Sequence, residues 1–66
     1  MLIVVNGENR EFADALSLEQ LITHLSRSHE RLAIERNGDV VRRADWPTTM
    51  LTENDRIEIV HFVGGG

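Results

Sequence analysis

The groups in this sequence that could do chemistry are few. His24, His29 and His61 could ligate a metal. Yet His24 and His29 lie five positions apart, off the i, i+4 spacing that sets two ligands on one helix face, and no acidic motif organises them. They read as solvated or edge side chains. The carboxylates show no motif that marks a catalytic pair, which would need a pocket to set the two groups apart. Cysteine is absent, so there is no thiolate ligand, thiol nucleophile or disulfide. Lysine is absent too: all seven basic side chains are Arg, which leaves no side-chain amine for a Schiff base, a general base or an isopeptide bond. No glycine-rich loop stands between a strand and a helix to cradle a phosphate. What remains is "EIVHFVGGG", a strand-forming run that gives way to Gly64, Gly65 and Gly66.

The elements that must carry this end follow from patterning. A chain of 66 residues makes one small domain, expected over 1–63 with a flexible glycine tail over 64–66. "MLIVVNGENREF" holds two β-rich runs around Asn6-Gly7, predicting strands at about 1–5 and 9–13. In "LSLEQLITHLSRS", Ser17 and Gln20 form a capping box, and Leu16 and Leu21 occupy the positions of a hydrophobic staple. Leu18, Leu21, Ile22 and Leu25 then recur on one face, predicting an amphipathic helix from 18 to about 27. "RLAIERNGDVVRR" reads as a second hairpin around Asn37-Gly38, with strands at about 32–36 and 39–42 and with Leu32 and Ile34 on one face. "ADWPTT" is an irregular connection with room for one helical turn, because Pro47 disfavours helical geometry at Trp46. After the turn in "TENDR", "IEIVHFV" is the last strand. The class is α+β. This order is that of the ubiquitin-like β-grasp, a mixed sheet of four to five strands crossed by one helix, with first and last strands parallel in the middle. An open α+β sandwich of another strand order shares it.

The C-terminal third narrows the choice. "NGDVVRRADW", the turn before the last strand and "RIEIVHFVGGG" together resemble the ThiS family, the small sulfur carriers of thiamine thiazole synthesis, with a weaker likeness in "MLIVVNGE" and the helix. This chain has Asn54-Asp55 where the family commonly has Gly-Asp, and Asn is the next-best residue for a left-handed conformation. The resemblance implies a non-enzymatic carrier. Its terminal carboxylate on Gly66 would be adenylated by an ATP-dependent activating enzyme similar to the ubiquitin-activating type. Sulfur would then replace one oxygen to give a thiocarboxylate, and thiazole synthase would take that sulfur. No cofactor is expected on the chain itself, since ATP is consumed by the partner. The chemistry suits these residues: a free carboxylate is a poor electrophile and must be activated, and nothing in the chain could activate it. Gly64 to Gly66 could project the carboxyl roughly 10 Å beyond a sheet and thread a narrow channel, having no Cβ.

The remaining expectations concern surfaces. Trp46, beside Pro47, reads as core-edge packing rather than a partner anchor. In the last strand Ile57 and Ile59 share a face directed at the helix, as do Ile3 and Val5 in the first. Leu2, Val4, Val60 and Phe62 would then form an apolar patch on the opposite face, open for a partner. The net charge of −4, without a basic stripe, argues against nucleic acid and suits a basic protein partner. The apolar start is too short for a signal segment or a membrane span, so a cytoplasmic protein, monomeric when free, is expected. Two rivals share parts of this description: the small subunit of molybdopterin synthase, and a ubiquitin-like modifier joined to target lysines. A non-covalent interaction module would leave the tail dispensable.

Overall fold

Both Asn-Gly pairs turn the chain through the left-handed region. In a computed structural model describing residues 1–25 and 31–62, Asn6 and Gly7 have φ of 49° and 81°, and Asn37 and Gly38 have 53° and 90°. These are the values of a tight hairpin whose twist matches its strands. The first turn joins β1 (Leu2–Val5) to β2 (Glu8–Glu11), and the second joins β3 (Leu32–Arg36) to β4 (Asp39–Val40). Strand β2 stops before the expected residue 13 because its partner runs out: Leu2 pairs with Glu11, and the Phe12 N–H donates to the Met1 carbonyl. Likewise β4 adds one bond, from Val41 N–H to the Ile34 carbonyl, before the chain enters a 3-10 turn at Arg43–Asp45.

Helix α1 (Leu18–His24) begins where the sequence places it. The Ser17 Oγ accepts from the Gln20 N–H at 3.1 Å, and the Gln20 Oε1 accepts from the Ser17 N–H at 2.8 Å. Two further N–H groups of the first turn, those of Leu18 and Glu19, donate to the carbonyls of Thr49 and Trp46, so the irregular connection straps the helix start. The helix ends earlier than expected. Leu25 is its C-cap with ψ of 1°, and the apolar stripe that holds so short a helix to the sheet ends at the same residue. Residues 26–30 and 63–66 lie outside the described part of the chain.

Strand β5 (Arg56–His61) completes a five-stranded sheet of order β2-β1-β5-β3-β4, with β5 parallel to β1 and antiparallel to β3. This is the β-grasp. Among the described residues the core lies on one face: Ile3, Val5, Ile34, Ile57 and Ile59 from the strands meet Leu18, Leu21 and Ile22 from α1, with Leu16, Trp46 and Leu51 closing the edges. Trp46 is 2% exposed, and its Nε1–H donates to the Val41 carbonyl at 3.0 Å, so it packs at the core edge as expected. Among the described residues no helix is long and apolar enough to cross a membrane.

Candidate functional site: the strand that carries the chain end

Strand β5 is paired on one side along its length and on the other only as far as Ile59. On one side β3 pairs with it from Ile57 to His61, and the Arg31 carbonyl accepts from the Phe62 N–H at 2.9 Å. On the other side β1 covers only its start, where the Val4 and Asn6 N–H groups donate to the carbonyls of Asp55 and Ile57. There β1 turns away, and a side chain takes over. The Asn6 Oδ1 accepts from the Ile59 N–H at 2.7 Å while its Nδ2 donates to the Ile59 carbonyl at 3.3 Å, so one amide stands in for the next peptide of the ladder.

The second turn asparagine works at the opposite end of β5. The Asn37 Oδ1 accepts from the Arg56 N–H at 2.9 Å, and its Nδ2 donates to the Asp55 carboxylate at 3.0 Å. Asp55 is 4% exposed and accepts also from the Arg36 Nε–H at 2.9 Å, the Thr52 N–H at 2.8 Å and the Thr52 hydroxyl at 3.1 Å. Burial alone pushes its carboxyl up, but these hydrogen bonds from Thr52, Asn37 and Arg36 outweigh it and hold the group below its ordinary value of 3.8. Asn54, just before it, has φ of 68°, which is the left-handed conformation expected at that turn. Sequence reasoning credited both hairpin asparagines with turn geometry alone and missed their grip on β5. The signal was present in the choice of Asn, which has a side-chain amide that Gly lacks.

The open face of the sheet corrects one expectation. The parity is as read: Val60 is 56% and Phe62 46% exposed, whereas Leu2 and Val4 are half-buried. The four do not form one patch. Val4 stands beside Arg56 in the β1–β5 register, so Val60 lies four residues, roughly 13 Å, further along the sheet. Adjacent strands were expected to align their apolar residues, but the parallel stagger sets Leu2 and Val4 at one end of the face and Val60 and Phe62 at the other. Ala33 opposes Val60 at the latter end, and Val40, 71% exposed, lies on β4 beside Glu35, two residues from Ala33 along β3.

The other sequence candidates divide simply. His61 is exposed on β5 opposite Leu32, and His24 lies at the end of α1 with its ring edge-on to Phe12, centroids 5.5 Å apart. His29 is outside the described residues. Among the described residues no three His, Cys, Asp or Glu side chains are grouped to hold a metal. Gly64, Gly65 and Gly66 also lie outside them. The described chain brings pairing as far as Phe62, four residues before Gly66.

The sequence profile of the ThiS family matches residues 3–66. This chain belongs to the ThiS family. Its fold agrees: the crystal structure of the ThiS thiamine biosynthesis protein from Geobacter metallireducens superposes with a TM-score of 0.86 at 30% identity, covering all of both chains. The sulfur carrier protein ThiS of Bacillus subtilis is 29% identical over 66 residues, 98% of this chain and 100% of the relative. A thiazole synthase from Magnetococcus marinus is 42% identical over the full 66 residues, of which this chain spans only 20% of the relative's length.

Proposed function

We propose that this chain is a cytoplasmic sulfur carrier of thiamine biosynthesis whose reactive group is the carboxylate of Gly66. An ATP-dependent activating enzyme adenylates that carboxylate, which transfers AMP to the carboxyl oxygen and releases pyrophosphate. A sulfur donor then displaces AMP to leave a thiocarboxylate, and thiazole synthase takes the sulfur during thiazole formation. The observation that carries the reading is the anchoring of β5 up to Phe62, in a chain of the ThiS family, with the exposed Val60 and Phe62 beside the point where Gly64, Gly65 and Gly66 follow. A rigid strand fixes where the last residues start, and the glycines fit a narrow channel in the partner. The match within thiazole synthases supports that enzyme as the acceptor, because a segment 35% or 42% identical to the whole chain occurs within them.

On this reading the tail-side apolar residues are what the activating enzyme holds, and Leu2 and Val4 lie at the far end of the same face. Phe62→Asp tests it. Loss of an aromatic anchor weakens an interface by about 2 kcal/mol or more, while an exposed substitution changes stability by within about 0.5 kcal/mol. The expected result is an unchanged melting curve with much weaker binding to the activating enzyme and slower thiocarboxylate formation. A folded variant that is thiocarboxylated at the wild-type rate would remove Phe62 from the recognised surface.

A further inference from the structure

Both hairpin turns set a chemically labile dipeptide against the strand that carries the chain end. In Asn6-Gly7 and Asn37-Gly38 the residue after the asparagine has no side chain, and all four residues are exposed. Beyond the chain neighbours, nothing lies within 4 Å of where a Cβ would stand on Gly7 or Gly38. The glycine nitrogen of such a pair is unshielded and its backbone free to swing, so it can attack the asparagine Cγ. A C–N bond forms, the Cγ–Nδ2 bond breaks, and the amide nitrogen leaves as ammonia with the proton of the attacking N–H. Water then opens the cyclic imide at either carbonyl, giving Asp or its backbone-shifted isomer isoaspartate. Asn9 and Asn54 precede Arg10 and Asp55, whose side chains shield the corresponding nitrogens.

In the folded chain the attack is opposed. The Asn6 amide is held on the N–H and the carbonyl of Ile59, at 2.7 Å and 3.3 Å, and the Asn37 amide on the Arg56 N–H and the Asp55 carboxylate, at 2.9 Å and 3.0 Å. These bonds must break before either Cγ can turn back onto its own following nitrogen. We propose that Asn6 and Asn37 are sites of spontaneous deamidation, held back by their bonds to β5 and the turn before it, and that conversion at Asn37 unlatches the start of β5. The acid keeps the acceptor oxygen and loses the donor. At Asn37 the lost donor faces Asp55, so a second carboxylate is set across the 3.0 Å contact from one that is 4% exposed. Of the charged residues around this turn, Arg36 already bonds Asp55 at 2.9 Å, Asp39 adds another negative charge, and Arg56 is bound through its backbone N–H. At Asn6 the lost donor reached only a carbonyl, and the shorter bond from the Ile59 N–H survives in the acid, so conversion there is milder. The sites follow from sequence and fold and stand apart from the sulfur chemistry proposed above.

The full chain, native and in guanidinium chloride, is incubated at mildly alkaline pH and its tryptic peptides are sequenced by mass spectrometry. In denaturant Asn6 and Asn37 should convert at least about tenfold faster than Asn9 and Asn54, and folding should slow both by about tenfold or more. Equal rates at all four asparagines in denaturant would overturn the proposal, as would conversion as fast in the native chain as in the denatured one. Asn37→Asp and Asn6→Asp install the products directly. At neutral pH Asn37→Asp should lower the melting temperature more than Asn6→Asp and speed hydrogen exchange at the Arg56 amide. Its deficit against the wild type should shrink as pH falls toward about 4, where the new carboxyl takes a proton and can donate to Asp55 again. An Asn37→Asp chain that melts no lower than Asn6→Asp, or exchanges the Arg56 amide at the wild-type rate, would overturn the unlatching. So would a deficit or failure to fold that is the same at both pH values, which would tie the loss to the turn rather than to the opposed carboxylates.

Discussion

At the scale of single residues, Asp55 shows how a short polar turn holds the strand behind it. Its carboxylate is buried yet accepts from Arg36, Asn37 and two groups of Thr52, joining the turn before β5 to the hairpin between β3 and β4. Because its folded-state carboxyl lies below the ordinary value of 3.8, its contribution to stability is fully present above that value and is lost as pH falls through the lower one. Asp55→Asn should therefore be less stable than the wild type at neutral pH by about 3 kcal/mol, because it leaves Arg36 without its charge partner. The gap should narrow as pH drops below about 4. Chemical denaturation from pH 7 to pH 2 checks this, and parallel stability curves for the two proteins would contradict it. Nothing in "TENDRIEIV" singled this aspartate out. Thr52 is three residues away, but Arg36 and Asn37 lie 19 and 18 residues away, and only the folded turn brings them to it.

At the scale of elements, what could be read locally was read correctly, and what depended on register was not. The capping box at Ser17 and Gln20 and both Asn-Gly turns are decided within a few residues, so the sequence displays them. The inward parity of Ile57 and Ile59 is likewise a local alternation. The stagger between β1 and β5 is not local: it is set by where the long connection returns the chain, and it separates Leu2 and Val4 from Val60 and Phe62. The end of α1 at His24 reflects packing that stops at Leu25, a tertiary limit on a sequence that could continue helically. The Asn6 clamp is a consequence of the same stagger, since β1 turns away while β5 still needs a partner at Ile59. Asn6→Gly keeps the positive φ of the turn and removes only the side-chain bonds. It should cost about 1 kcal/mol and speed hydrogen exchange at the Ile59 amide more than at the Ile57 amide. Equal exchange at Ile59 in variant and wild type would show that the clamp does not hold β5.

At the scale of the whole molecule, the proposed function makes the fold a device for presenting one chain end. The helix covers one face of the sheet, β1 and β3 hold β5 in its centre, and the other face carries exposed Val60 and Phe62. The absence of Cys and Lys from the sequence removes the side chains best able to intercept an activated carboxyl within the same chain. The central claim is that this carboxyl, on Gly66, is where sulfur is carried. Intact-mass measurement decides it most directly, after incubation of the full chain with the activating enzyme of its own organism, ATP and a sulfur source. The account predicts a mass change equal to one oxygen-for-sulfur exchange, mapped to the C-terminal peptide and absent from a chain lacking Gly65 and Gly66. A normal yield of the sulfur product from that shortened chain, or its location in any other peptide, would contradict it.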